Sequence, residues 1–168
     1  ERLQVANLSR EEAALAEMAQ KALDIIDEDG TTVVFPRIVE QLAEDLGTVA
    51  EFLQREDTGA YTQAMQKEIE KTLEELIEAL EKAQEQQEGQ QGEQGEQPPG
   101  EQPPPPLVPE SAELKLLKSA QLRVNRRTQS FDKAKPADLS PPLVREVQRI
   151  ADRQEEVRQM AEDIYERP

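Results

Sequence analysis

Apolar residues recur at spacings of three and four over five stretches of the chain, and the spacing predicts five helices. In the first, Leu15, Met18, Ala19, Ala22, Ile25 and Ile26 share one face. Upstream, Asn7-Leu8-Ser9-Arg10-Glu11-Glu12 reads as its start, with Ser9 as cap and Glu12 reaching back to the Ser9 amide as in a capping box. Asp29-Gly30 marks its end. Thr31 to Phe35 has strand-like composition but no strand to pair with, so it reads as an apolar connector packed on the helices. Pro36 suits the first position of a second helix, whose stripe is Ile38, Val39, Leu42, Leu46, Val49 and Leu53 and which stops by Gly59. The third runs from about Thr58, with Ile69, Leu73, Leu76, Leu80 and Ala83 in the alternating rhythm of a coiled-coil seam.

The fourth helix covers Glu110 to Ser130, with Leu114, Leu117, Ala120, Val124 and Phe131 on one stripe. A turn from Asp132 to Leu139 follows. Ser140 before Pro141 and Pro142 is a cap-then-proline start, and Leu139 with Val144 forms a hydrophobic staple. The fifth helix carries Leu143, Val147, Ile150, Val157, Ala161 and Ile164, interrupted by Gln154. With so short a connection, helices four and five are expected as an antiparallel hairpin.

Between the third and fourth helices the pattern vanishes. Gln84 to Pro109 holds 8 Gln, 7 Pro, 5 Glu and 4 Gly, with only Leu107 and Val108 apolar. Such a segment buries too little apolar surface to offset the entropy of ordering it, so a disordered linker is expected, extended at its proline-rich end. The predicted division is therefore an acidic three-helix segment over 1–83, a low-complexity linker over 84–109, and a helical hairpin with a basic first helix over 110–168. A flexible linker of this length spans roughly 25–30 Å, so the fourth helix can fold back on the third.

Charge adds a direction to this layout. Residues 1–83 hold 20 acids against 8 bases, the linker 5 acids and no base, and residues 110–168 11 acids against 12 bases. The whole chain carries −16. That balance argues against nucleic acid as a partner, whose binding rests on phosphate neutralisation. Within Leu114 to Lys135 seven bases stand against Asp132 alone. Arg123, Arg126 and Arg127 are the best candidates there for binding an anionic protein surface, a phospholipid headgroup or RNA. The competing structural reading pairs them with acids of neighbouring helices, since Arg126 and Arg127 flank the apolar stripe. RNA fits least, because no aromatic side chain stands between Glu110 and Ser130 to stack with bases.

The missing residue types narrow the chemistry. There is no His and no Cys, so a Ser-His-Asp arrangement, a histidine-containing di-iron site, a thiolate metal site and a disulfide framework are all ruled out. Acidic residues at helical spacing read as solvated faces rather than an acid–base pair. Asp27-Glu28-Asp29-Gly30 invites comparison with a calcium loop, but aligning Gly30 to the invariant glycine puts Ile25 at the first ligand position and Pro36 at the twelfth. It reads as a helix C-terminal turn. Gly89, Gly92 and Gly95 are too few for a collagen repeat. Pro103 to Pro106 reads as a spacer rather than a ligand for an aromatic groove, and Asn7-Leu8-Ser9 as a chance glycosylation sequon. With three Phe, two Tyr and no Trp, aliphatic residues must do the packing, which suits slim helical seams. No run approaches the roughly 18 apolar residues of a membrane span. A start at Glu1 rather than Met is what a processed chain or an excised segment would show.

The runs LKLLKSAQLRVNRRTQ (Leu114 to Gln129) and LSPPLVREVQRIADRQEEVRQMAEDI (Leu139 to Ile164) carry a resemblance. Over residues 107–164 the chain resembles uncharacterised bacterial cell-envelope proteins, helical or coiled-coil and linked by proline-rich stretches. Some of these look like companions of proton-driven biopolymer-transport systems. The resemblance implies an extracytoplasmic accessory protein, in periplasm or envelope, and a possible envelope transport complex as partner. It supplies no catalytic residues.

The expected architecture is all-α: an elongated helical bundle or antiparallel coiled-coil hairpins interrupted by a disordered Gln/Pro/Gly-rich linker. The expected function is a non-catalytic scaffold or adaptor without cofactor, whose seams bind a protein partner or a second copy. Leu73, Leu76, Leu80, Leu114, Leu117 and Val124 would supply the apolar contacts, and Arg123, Arg126 and Arg127 the charged ones. The alternative is a helical module for a charged small ligand or lipid headgroup, which moderate salt would displace where apolar seams would hold.

Overall fold

Five α-helices account for the described chain: α1 (Arg2–Asp29), α2 (Val34–Gln54), α3 (Ala60–Gln91), α4 (Glu110–Ala134) and α5 (Pro141–Glu166). The computed structural model describes residues 2–91, 106–134 and 141–167, and among them there is no strand. The fold is all-α, as the periodicity predicts. Two compact units divide it, Glu1–Glu113 and Leu114–Pro168.

In the first unit α2 is the central element. All six residues of its predicted stripe are buried, and Val34, Phe35, Gln41 and Ala50 are buried beside them. Burial on so wide an arc lets α2 pack against both α1 and α3. Each large aliphatic side chain so enclosed contributes about 1.5–3 kcal/mol by transfer from water. α1 runs antiparallel to α2, with Ser9 Oγ donating to the Ala50 carbonyl at 2.8 Å and Arg2 meeting Glu56 at 3.4 Å near the other helix's end. The five-residue turn at 55–59 reverses the chain into α3, and the Phe52 and Tyr61 rings meet edge-on across it at 5.9 Å. α3 reaches α1 through Gln66, whose Nε2 donates to Glu12 Oε1 at 2.9 Å.

Several local expectations are corrected. Ser9 is not a cap: α1 begins at Arg2, and Ser9 is an interior position that ties α1 to α2. The helix does stop at Asp29, where Gly30 adopts φ +64°, a left-handed conformation that glycine takes without steric cost. α2 starts at Val34, two residues before Pro36, so the proline sits within the first turn. Its missing amide is harmless there because first-turn amides have no intrahelical acceptor. α2 ends at Gln54 rather than near Gly59, closed by Arg55 and by Glu56 at φ 61°.

α3 continues to Gln91, eight residues into the stretch read as linker. The last residues of that stretch are also placed. Leu107 donates its amide to Thr31 Oγ1 at 2.8 Å and Val108 is fully buried. Residues 92–105, the remainder of the predicted linker with most of its prolines, lie outside the described residues, as does the 135–140 connection with Leu139 and Ser140.

In the second unit, α4 and α5 meet through a reciprocal amide pair. Gln121 Nε2 donates to Gln154 Oε1 at 2.9 Å, and Gln154 Nε2 returns a bond to Gln121 Oε1 at 3.0 Å. Gln121 stands 13 residues before the end of α4 and Gln154 13 residues after the start of α5. A parallel pairing would put those ends about 39 Å apart, whereas a six-residue connection reaches about 25 Å. The pair is therefore the expected antiparallel hairpin. Of the predicted stripes, Ala120, Val124 and Val157 are buried and Ile150 and Ile164 half-buried, while other positions shift by a residue. Leu116 is buried while Leu117 is half-buried and Leu114 exposed. On α5, Arg153, Val157 and Met160 are buried, Val147 is exposed, and Ala161 lies outside the row.

Candidate interaction surfaces

α1 and α3 each carry two apolar rows, and the fold uses one of them. On α3 the inward row is Thr62, Met65, Ile69, Thr72, Leu76, Ala79 and Ala83, every member buried and the spacing alternating three and four. One residue further round lies a second row, Leu73, Ile77 and Leu80, all exposed. The predicted seam mixed the two. Leu76 belongs to the core at 6% exposure, whereas its neighbour Ile77 is 53% exposed.

α1 shows the same doubling more strongly. Every α1 residue that is not exposed falls on the row Val5, Ser9, Glu12, Ala16, Ala19, Leu23 and Ile26. This row is largely small or polar, and its alanines let α1 approach the bulky face of α2. Of the face predicted to pack, Ala19 and Ile26 lie on this inward row, whereas Leu15, Met18, Ala22 and Ile25 point outward. Leu8, Leu15, Met18 and Ile25 are exposed at 47, 46, 63 and 71%. Exposed apolar residues in a row mark an interaction surface more than scattered ones do.

The remaining candidate residues divide between core and surface. Val124 and Arg123 are buried in the second unit; Leu117, Arg126 and Arg127 are half-buried; Leu114 is exposed. Lys115, Arg123, Arg126 and Arg127 are each engaged in a hydrogen-bonding, ionic or ring contact within the chain. On α5, Arg158 bridges Glu155 at 2.6 Å and also pairs with Glu162. The hydrogen bond from Arg158 lowers the Glu155 carboxyl below its ordinary range, and Gln159 adds to the effect; the Arg158 guanidinium is raised in turn.

Glu113 was not singled out by sequence. It is 1% exposed, and its Oε1 accepts the amides of Val33 at 2.6 Å and Val34 at 2.8 Å. Val33, at the N-cap of α2, makes no side-chain cap of its own, because a valine has no acceptor to offer. A carboxylate 80 residues away in sequence fills the role and meets the positive end of the helix dipole. Helical periodicity cannot reveal such a partner; the only hint was an acid on the apolar side of α4.

Asp27 to Gly30 forms a helix C-terminal turn, with Asp29 Oδ1 accepting the Thr31 amide at 3.1 Å. Among the described residues no three acidic side chains converge as a metal site requires, and no helix is long and apolar enough to cross a membrane. No family model, no curated protein and no solved structure matches the chain.

Proposed function

We propose that the chain is a non-catalytic helical scaffold or adaptor that works by protein–protein association in the bacterial cell envelope. The single observation that supports it is the doubling of apolar rows. α2 takes up one row of α1 and one of α3, leaving Leu8, Leu15, Met18 and Ile25 on the first and Leu73, Ile77 and Leu80 on the second. Large aliphatic side chains held at heptad spacing on rigid helices are the chemistry by which helices recognise helices. The lack of His removes the commonest general base, in keeping with a binding role. The envelope location rests on the resemblance of residues 107–164.

The test is association measured on the full chain in low and in 0.5 M salt. Complexes that persist in high salt and are lost on changing Leu73 and Leu80 to Asp support the adaptor. Binding confined to low salt and directed to anionic vesicles would replace it with the charged-ligand module.

A further inference from the structure

The outward row of α1 has an internal symmetry that identifies what covers it. The row is Gln4, Leu8, Glu11, Leu15, Met18, Ala22, Ile25 and Asp29, alternating four and three throughout. Its four large apolar members are placed evenly about a point between Ala16 and Glu17. Laying a second α1 antiparallel across that point sets Leu8 opposite Ile25 and Leu15 opposite Met18, each pair occurring twice. Glu11 falls opposite the small Ala22, and Asp29, the other charge of the row, opposite Gln4 at its end. Every layer thus joins large to large, or polar to small or polar.

We infer that the chain forms a two-fold dimer with a second copy of itself, through antiparallel pairing of the outward rows of α1. A two-fold axis makes such an interface self-complementary. The inference rests on the association reading above and names the partner for this one surface.

Charge selects the same orientation. Residues 2–15 of α1 hold Arg2 and Arg10 against Glu11 and Glu12, whereas residues 16–29 hold Lys21 against Glu17, Asp24, Asp27, Glu28 and Asp29. Antiparallel pairing brings the strongly acidic half of each copy against the half bearing two arginines. A parallel pair would align the two acidic halves and place Glu11 against Glu11 in the seam, a like-charge contact within an apolar layer. The buried and half-buried residues of α1 all lie on the other row, so docking a second copy asks for no rearrangement within the first unit.

The chain has no cysteine, so single substitutions report the pairing cleanly. The full chain should sediment at twice the 19.0 kDa of one copy. Under mild oxidation, mixed Glu11→Cys and Ala22→Cys chains should form a disulfide-linked heterodimer, while neither chain links to itself. Leu15→Glu with Met18→Glu should halve the mass and leave helicity and Tm of the monomer intact, since neither residue is buried. Self-linking of Glu11→Cys would overturn the inference in favour of a parallel pair. A wild type that stays monomeric would overturn it outright while leaving the α3 row as the adaptor surface. Loss of helicity in the double variant would also overturn it, by showing the row to be part of the core.

Discussion

Glu113 caps the helix that begins at Val34: its carboxylate oxygen accepts the Val34 amide at 2.8 Å and the Val33 amide at 2.6 Å. One side chain thereby satisfies two amides that α2 has no local means of satisfying, and it pins the first turn of α4 to the corner between α1 and α2. The Leu107 amide bond to Thr31 Oγ1 at 2.8 Å anchors the same corner. The chain that leaves α3 thus returns to a defined place on the first unit.

Replacing Glu113 by Ala should destabilise the first unit by roughly 2–4 kcal/mol, since two amides lose their acceptor at about 1–3 kcal/mol for each group left unsatisfied. Glu113→Gln keeps an acceptor oxygen and forgoes only the charge–dipole attraction, so its cost should be about 1 kcal/mol. Chemical denaturation of the three proteins checks the order.

Glu56 closes α2 in a left-handed conformation, φ 61°, which costs a residue with a Cβ about 1–2 kcal/mol. Glu56→Gly should therefore raise stability by about 0.5–1 kcal/mol once the added freedom of the unfolded chain is set against the relief. The lost Arg2 contact subtracts little, as both side chains are exposed. A higher Tm is the expected reading, and a lower one would show the conformation to be unstrained.

Glu155 should titrate below an ordinary glutamate because Arg158 donates to its carboxylate. Its folded value is depressed, so the stabilisation is fully present above the unfolded carboxylate range near about 4.3 and is lost as pH falls through the folded value. α5 should lose helicity over that acidic window. Arg158→Ala should return the Glu155 titration to the ordinary range, and raised salt should shrink the effect, since both groups are exposed to solvent. Carboxyl NMR titration measures it.

The Gln121–Gln154 exchange fixes the register of the α4–α5 hairpin. A double-mutant cycle to Ala should show a coupling of about 1 kcal/mol between the two positions. Coupling near zero would mean that the pair does not set the register.

How much of this was readable in the sequence varies from helix to helix. The stripe of α2 was read without error because α2 is enclosed on a broad arc, so any reasonable face prediction coincides with burial. On α1 the predicted face joins members of both rows: the fold half-buries its Ala19 and Ile26 and leaves its Leu15, Met18 and Ile25 outside. Two rows one residue apart differ by about 100° round the helix, and which one faces inward depends on the shape of α2, information that α1 does not contain. The same ambiguity exchanged Leu116 for Leu117 and merged Leu73 and Leu80 with Leu76. Ser9 preceding Glu12 satisfied the capping pattern but sat inside a helix that starts seven residues earlier. Glu113 was beyond reach of local patterns altogether, because its partners are 79 and 80 residues distant.

The central claim is that one row of α3 holds the fold while the adjacent row is left for association. The direct measurement compares thermal unfolding and solution mass for Leu76→Asp and Ile77→Asp, neighbours in sequence that face opposite fates. Leu76→Asp should unfold the first unit or lower its stability by about 3 kcal/mol or more, whereas Ile77→Asp should keep helicity and Tm and weaken only association. Equal destabilisation by the two substitutions, or a stable fold with Asp at position 76, would contradict the account.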